Sequence, residues 1–337
     1  MQAEVGKRFN RADRTDLTKV IPLETPLVLF IDPSSACNFK CNFCPCGIKN
    51  KANWSEHKKV GMMSYELFRK IIDDAAQFPQ KIKTLRLYKE GEPLLNKRLP
   101  DMIRYAKKKE IANKIDFTTN GSLLTRDLSL ALIDAGVDKI NISVESLTEE
   151  GYQTTSGVNL NMADFLKNLE FLYANKKQCH ILIKISDYGL EGRSEQEFYD
   201  MFGSMCDEIT VEHVAPVWPE FDLSNVQTEF KQGLHGNEIR ECWVCPYIFY
   251  SICVNSSGTV SSCLMDWNHL SIVGDVNESS IVEVWNNKYI QNMRIKNLEG
   301  KRSELGICSN CGQMKFATLD NIDDYKEELL KKVLNKK

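Results

Sequence analysis

The chain has 337 residues, a net charge of −3 and a hydrophobic fraction of 42%. This length suggests one large or two linked domains of a globular protein. The mildly acidic balance gives no electrostatic footprint for nucleic acid, and no apolar run approaches the ~18 residues of a membrane helix. The N-terminal text MQAEVGKRFNRADRTD lacks the apolar core of a secretory signal. Twelve cysteines in such a chain indicate a reducing, cytoplasmic setting, where they bind metal or stay as thiols.

Strand-like and helix-like stretches alternate from residue 27 to about 214. Strands are predicted at 27–32, 84–88, 114–119, 139–145, 180–186 and 208–214, all rich in β-branched or large apolar residues. Helices are predicted after an N-cap at Ser64 and at 99–108, 125–135 and 163–175. Six β–α units imply a parallel α/β sheet or barrel, with its site at the C-terminal ends of the strands. The prolines and polar turns of 216–241 read as a linker or lid. Stretches 249–254 and 259–263 flank Asn255-Ser-Ser-Gly258, a hairpin signal. A helix is expected at 281–297, with Val284, Trp285, Ile290 and Met293 on its apolar face, and a charged amphipathic helix at 319–337. The expected organisation is an extension at 1–24, a main domain at 25–215, the linker, a small domain at 242–315 and the tail from 316.

Cys37, Cys41 and Cys44 form a C-x3-C-x2-C triplet directly after the first predicted strand. Three thiolates can hold three irons of a [4Fe-4S] cube and leave the fourth open. Free thiols or half of a zinc site are the alternatives, but zinc sites pair C-x2-C with a second pair at short range, and none lies nearby. Cys46 falls outside the spacing. The run resembles the radical S-adenosylmethionine (SAM) superfamily, in which the amino group and carboxylate of SAM chelate the open iron. Phe43, before the third cysteine, is a further shared feature. The resemblance covers roughly residues 25–315 and implies a partial (β/α)6 barrel of the TIM type. Lys89-Glu90-Gly91-Glu92-Pro93 resembles the family's GGE motif with Glu90 in place of the first glycine, which implies that Gly91 and Glu92 bind the methionine ammonium. By the same resemblance Asn120, in Thr119-Asn120-Gly121, and Ser143 face SAM. Lys184, a poor core residue unless paired, is expected to contact SAM or substrate.

The second set is Cys245, Cys263, Cys308 and Cys311: C-x17-C, a gap of 44 residues, then C-x2-C. It resembles the twitch module, a shortened SPASM domain, which implies one auxiliary [4Fe-4S] cluster with four cysteine ligands. Cys242 rivals Cys245 for the first place. Zinc on Cys242, Cys245, Cys308 and Cys311 is a second reading, although its loop is far longer than usual. Cys179 and Cys206 read as small buried residues.

The resemblance implies the activity as well. Reductive cleavage of SAM yields a 5′-deoxyadenosyl radical, which abstracts hydrogen from a substrate C–H bond. A fully ligated second cluster suits electron acceptance, so the expected reaction is a two-electron oxidation, as in twitch-type dehydrogenases, of an alcohol on a sugar or aminocyclitol. An external one-electron reductant such as flavodoxin or ferredoxin is implied, with a small-molecule substrate and no nucleic-acid or membrane partner. Tyr88, Asp187 and His213, at strand ends, are the candidate catalytic bases. Three other readings stand beside this one. A peptide-modifying maturase is less expected, because only 36 residues precede Cys37. A radical epimerase would use Cys179, Cys206, Cys242 or Cys253 as hydrogen donor. A plain electron carrier would need no open iron.

Overall fold

The computed structural model describes residues 3–6, 14–47, 54–227 and 229–335. Among these residues ten strands form one sheet: β1 (Glu4–Val5), β2 (Val28–Ile31), β3 (Ile82–Arg86), β4 (Ala112–Thr119), β5 (Lys139–Val144), β6 (His180–Ser186), β7 (Glu208–Glu212), β8 (Ser251–Val254), β9 (Thr259–Ser261) and β10 (Ile272–Asp275). Their order is β1-β7-β6-β5-β4-β3-β2-β8-β9-β10. All pairs from β1 to β8 are parallel, and β9 and β10 turn antiparallel. The protein is therefore an α/β fold whose barrel is partial, with open edges at β1 and β10. The six strands expected from the sequence are β2 to β7. The C-terminal hairpin also joins their sheet, because β8 pairs with β2 from Val28 opposite Ser251 to Ile31 opposite Val254.

Helices cover the sheet where their capping residues start them. The Ser64 hydroxyl accepts from the Leu67 amide and opens Tyr65–Ala75, whose Phe68, Ile71 and Ile72 are fully buried. Each such side chain contributes roughly 1.5–3 kcal/mol. Thr125 and Asn161 cap Arg126–Asp134 and Met162–Asn175 in the same way. Two helices of eight residues escaped the sequence pattern, Glu149–Ser156 and Glu195–Phe202; the first is polar and lacks a clear apolar stripe. The expected helix at 281–297 is two, Ile281–Asn286 and Lys288–Leu298, because Asn287 leaves helical geometry and caps the second. Residues 216–241 have no regular secondary structure among those described. The tail helix is Lys326–Asn335, and its Leu329 and Val333 pack with Leu17, Ile21, Val244 and Ile248. Among the described residues no helix is long and apolar enough to cross a membrane.

The strands explain the cavity. Apolar residues such as Leu85, Ile115, Phe117, Ile140, Ile142, Ile183 and Ile185 are buried in the main hydrophobic core. Their alternate neighbours Arg86, Asp116, Thr118, Asn141, Ser143 and Lys184 line a cavity of about 830 Å³. Successive side chains of a strand point to opposite faces, so the alternation Lys139-Ile-Asn-Ile-Ser sends Lys139, Asn141 and Ser143 to the lumen and Ile140 and Ile142 to the core.

Candidate active site

The Cys37–Cys44 loop follows β2 and is tied to the end of the helix Glu149–Ser156. Lys40 N donates to Ser156 O (2.9 Å), Asn42 N to Thr155 O (2.9 Å) and Asn42 Nδ2 to Thr154 O (3.0 Å). These bonds satisfy carbonyls that a helix C-terminus leaves open. Phe39 is buried edge-on against Tyr152, with ring centres 6.0 Å apart, and its amide donates to Cys37 Sγ at 3.4 Å. Cys41 Sγ lies 3.3 Å from Ser156 Oγ. All three thiols, with Phe43, line the cavity. Burial raises the Cys37 thiol to about 12 and Cys41 well above its ordinary value. Cys46 donates its thiol to Glu90 O at 2.8 Å and also hydrogen-bonds to the Cys44 thiol beside it.

The segment after β3 closes against this loop. A Cβ on Gly91 would stand 2.2 Å from Ala36 O and 2.3 Å from Ser34 O, so no larger residue fits there. Glu92 N donates to Ala36 O at 2.8 Å. The Glu92 carboxylate accepts from Thr119 Oγ1 (2.6 Å) and Leu94 N (2.9 Å) on one oxygen, and from Asn120 N (2.8 Å) on the other. It thereby fixes the Thr119–Gly121 turn. Asn120 Nδ2 donates to Asn38 Oδ1 at 3.0 Å. Ser143 lines the cavity beside Lys184, which pairs with Glu212 at 2.5 Å. Phe43, Gly91, Glu92, Asn120 and Ser143, expected at SAM, and Lys184, expected at SAM or substrate, all line the cavity.

The three candidate bases separate. Tyr88 lines the cavity and accepts from Arg86 Nη1 at 3.1 Å. His213 lines it as well, with Nδ1 3.0 Å from Asp187 Oδ2. Asp187 is not among the main cavity's lining residues; it lines a second, more open pocket that shares His213. Burial tends to raise the Asp187 carboxyl, but the bonds from His213 and the Val214 amide hold it below its ordinary value. None of Cys179, Cys206, Cys242 and Cys253 lines the main cavity; its cysteines among the described residues are Cys37, Cys41 and Cys44.

Further charged residues shape the site beyond those singled out from the sequence. Glu145, at the end of β5, is raised to about 8 by burial despite Lys184 nearby. Glu90, at the position of the motif's first glycine, is buried at the centre of a charge cluster with Lys58, Lys89 (2.5 Å) and His269 Nε2 (2.7 Å). Lys58 and Lys89 also donate to Trp267 O and Asp266 O at 2.6 and 2.8 Å. This clasp joins the β3 end to the segment after β9. Asp32 lies close by, fully buried and raised by burial to about 7. The sequence signal for this group was the departure at Glu90.

At the C-terminal set, Cys245 N donates to Asn297 Oδ1 (2.8 Å), and Met265 N donates to Cys263 Sγ (3.4 Å). Cys311 Sγ is 3.9 Å from Val217 O in the 216–241 segment. Burial raises Cys245 and Cys308 to about 12, and mutual repulsion of their thiolates adds to it: Cys245 feels Cys308 and Cys311, and Cys263 feels Cys245 and Cys311. The charged neighbours of Cys242 are instead Arg240, Asp323 and Glu241. Among the described residues no three His, Cys, Asp or Glu side chains gather closely enough for one metal ion.

Residues 31–204 match the model of the radical SAM superfamily, and residues 242–312 match that of an iron–sulfur cluster-binding domain, SPASM. The tungsten-containing aldehyde ferredoxin oxidoreductase cofactor-modifying protein of Pyrococcus furiosus is 36% identical over 119 residues, 35% of this chain and 31% of that protein. A probable GTP 3′,8-cyclase of Methanococcus maripaludis is 37% identical over 126 residues, 37% of this chain and 38% of that protein. The chain thus spans about a third of the length of these curated relatives. Its fold is that of BtrN in complex with AdoMet and 2-DOIA (TM-score 0.55, 19% identity, 88% of this chain and 96% of that one). It is also that of Streptococcus suis SuiB bound to precursor peptide SuiA (TM-score 0.61, 15% identity, 89% and 72%).

The residues present fit the groups these domains carry. Two buried carboxyls of the cavity wall, Glu92 at about 7 and Glu145 at about 8, suit a ligand with positive charge such as SAM, with its sulfonium and ammonium. Two sets of half-buried cysteines, three and four, suit iron–sulfur clusters, whose natural protein ligands are thiolates.

Proposed function

Because this chain belongs to the radical SAM superfamily, we propose that it is a twitch-type enzyme that oxidises a small polar alcohol, a sugar or aminocyclitol, to a ketone. A radical SAM domain uses SAM and a [4Fe-4S] cluster, and the SPASM domain adds iron–sulfur capacity. Cys37, Cys41 and Cys44 would hold the SAM-binding cluster, and Cys245, Cys263, Cys308 and Cys311 the auxiliary one. When bound, the first supplies a hydrogen-abstracting 5′-deoxyadenosyl radical and the second an electron acceptor.

The observation behind this reading is the cavity lining. Every strand from β3 to β7 contributes polar side chains to it, and among the described residues it holds no cysteine beyond the triplet. A thiol donor for epimerisation has no place among them. Loss of a hydrogen atom from carbon, a proton from the hydroxyl and an electron to the auxiliary cluster balances a two-electron oxidation. We assign the proton to His213. Its Nδ1 is oriented by Asp187, and its ring stands between the cavity and the open second pocket, a route by which the proton leaves. Gly91, Glu92, Asn120, Ser143 and Glu145 would seat SAM, and Tyr88 and Lys184 would face the substrate. The first electron would come from a flavodoxin or ferredoxin in the cytoplasm.

The test is anaerobic turnover with carbon-deuterated polyols. Deuterium in 5′-deoxyadenosine together with a ketone product supports the oxidation. A redox-neutral product carrying solvent deuterium, or turnover of GTP alone, as the similarity to GTP 3′,8-cyclases would favour, overturns it.

A further inference from the structure

The lumen side of β3 and β4 carries polar atoms that the fold leaves unsatisfied. Arg86 and Asp116 stand opposite each other in register, and Thr118 lies one inward step further along β4. Arg86 Nε, Asp116 Oδ1 and Thr118 Oγ1 are each buried without a hydrogen bond, and all three residues line the main cavity. Asp116 is only 5% exposed. Arg86 Nε stops 3.6 Å from Asp116 Oδ2, beyond hydrogen-bond reach. Each buried donor or acceptor left unmade destabilises the fold, so three together on one wall mark a place where a ligand supplies the partners.

We propose that Arg86, Asp116 and Thr118 form the subsite that seats a polyhydroxylated ring, a sugar or cyclitol, through vicinal hydroxyls. A hydroxyl is both donor and acceptor. One hydroxyl can take the guanidinium N–H on its oxygen and give its own proton to the Asp116 carboxylate. Its neighbour can reach Thr118 in the same two senses. Phe30 and Tyr88, edge-on at 5.8 Å, offer an apolar floor beside Arg86, which lies 5.6 Å over the Phe30 ring. At this point of the wall the Asp116 carboxylate opposes an anionic group, while Lys83 and Lys114 of the same strands also line the cavity. This inference rests on the small-polar-substrate reading and names the residues that would enforce it.

The experiment is calorimetric titration of the anaerobically reconstituted, SAM-loaded protein with D-glucose, D-galactose, glucosamine and myo-inositol, and separately with GTP. At least one polyol should bind. Asp116→Asn should weaken it tenfold or more, and the isosteric Thr118→Val about fivefold, with SAM affinity within twofold of wild type. Absence of binding by every polyol, unchanged polyol binding in Thr118→Val, or tighter binding of GTP than of any polyol overturns the subsite. A polyol that binds through these residues but yields no ketone supports the subsite and contradicts the oxidation. A polyol oxidised with equal KM by wild type and Thr118→Val removes the subsite and leaves the oxidation standing.

Discussion

The two cysteine sets are built in opposite ways. Cys37, Cys41 and Cys44 share one loop of eight residues, whereas Cys245, Cys263, Cys308 and Cys311 come from three segments spread over 67 residues. The spacing of the first set is local, although its loop is seated by tertiary contacts of its own, the Glu149–Ser156 helix end and the Gly91 approach. The second is gathered only by tertiary structure: the β8–β9 hairpin, the Asn297 cap on Cys245 and the 216–241 segment against Cys311. A local set can be lost by one loop change without unfolding; a dispersed set depends on how its module docks on the sheet.

The largest effect should follow from removing the local set. Replacing Cys37, Cys41 and Cys44 together by alanine should reduce SAM cleavage to background, read as 5′-deoxyadenosine by chromatography, with folding preserved by circular dichroism. Cleavage that persists would contradict their role. Cys263→Ala or Cys311→Ala should instead abolish substrate oxidation while SAM cleavage continues, and Cys242→Ala should do neither. Equal damage from Cys242→Ala and Cys245→Ala would restore the rival ligand.

The clasp that docks the module gives the next effect. Glu90→Gln leaves Lys58 and Lys89 buried without their counter-charge, a change that should cost about 3–5 kcal/mol of stability, measured by urea unfolding under argon. The variant should also retain less iron at the C-terminal set than at the first. A stability within experimental error of wild type would show that the clasp is dispensable.

Asp32, beside the clasp, probes the same docking through pH. Its carboxyl rises from 3.8 in the unfolded chain to about 7 when folded, so the native state binds the extra proton between those values. A raised carboxyl stabilises below the unfolded pKa, and that contribution is lost as pH climbs towards about 7. Asp32→Asn should therefore flatten the decline between about pH 4 and 7. It should gain on wild type by up to about 4 kcal/mol at about pH 8, since each tenfold change in proton affinity is worth ~1.4 kcal/mol. Parallel stability profiles for the two proteins would contradict the buried-acid explanation.

Much of this contrast was open to reading from residues. The C-x3-C-x2-C spacing and the strand–helix alternation are local signals, and they lead to β2–β7 and the first loop. The hairpin at Asn255–Gly258 is equally local, but its pairing with β2 is not, because nothing in Ser251–Val254 names its parallel neighbour. The helix Glu149–Ser156 stayed hidden because its text Glu-Glu-Gly-Tyr-Gln-Thr-Thr-Ser has no apolar periodicity; contacts with the cysteine loop hold it. The alternation Lys139-Ile-Asn-Ile-Ser-Val-Glu145 was present in the text and marks a polar lumen, a meaning that needs the barrel to be seen. Glu90, Lys58 and His269 are far apart in sequence, so beyond the departure at Glu90 nothing in the text announced their joint burial.

Whether one open and one closed cluster share this chain is decided by iron and sulfide analysis with Mössbauer spectroscopy. The samples are the reconstituted wild type, the Cys37/Cys41/Cys44 alanine variant and Cys263→Ala. Two cubes require about eight irons in the wild type and about four in the triple variant, with an SAM-dependent change at one iron site only while the triplet is intact. About four irons in the wild type, or zinc at the C-terminal set, would contradict the two-cluster assignment.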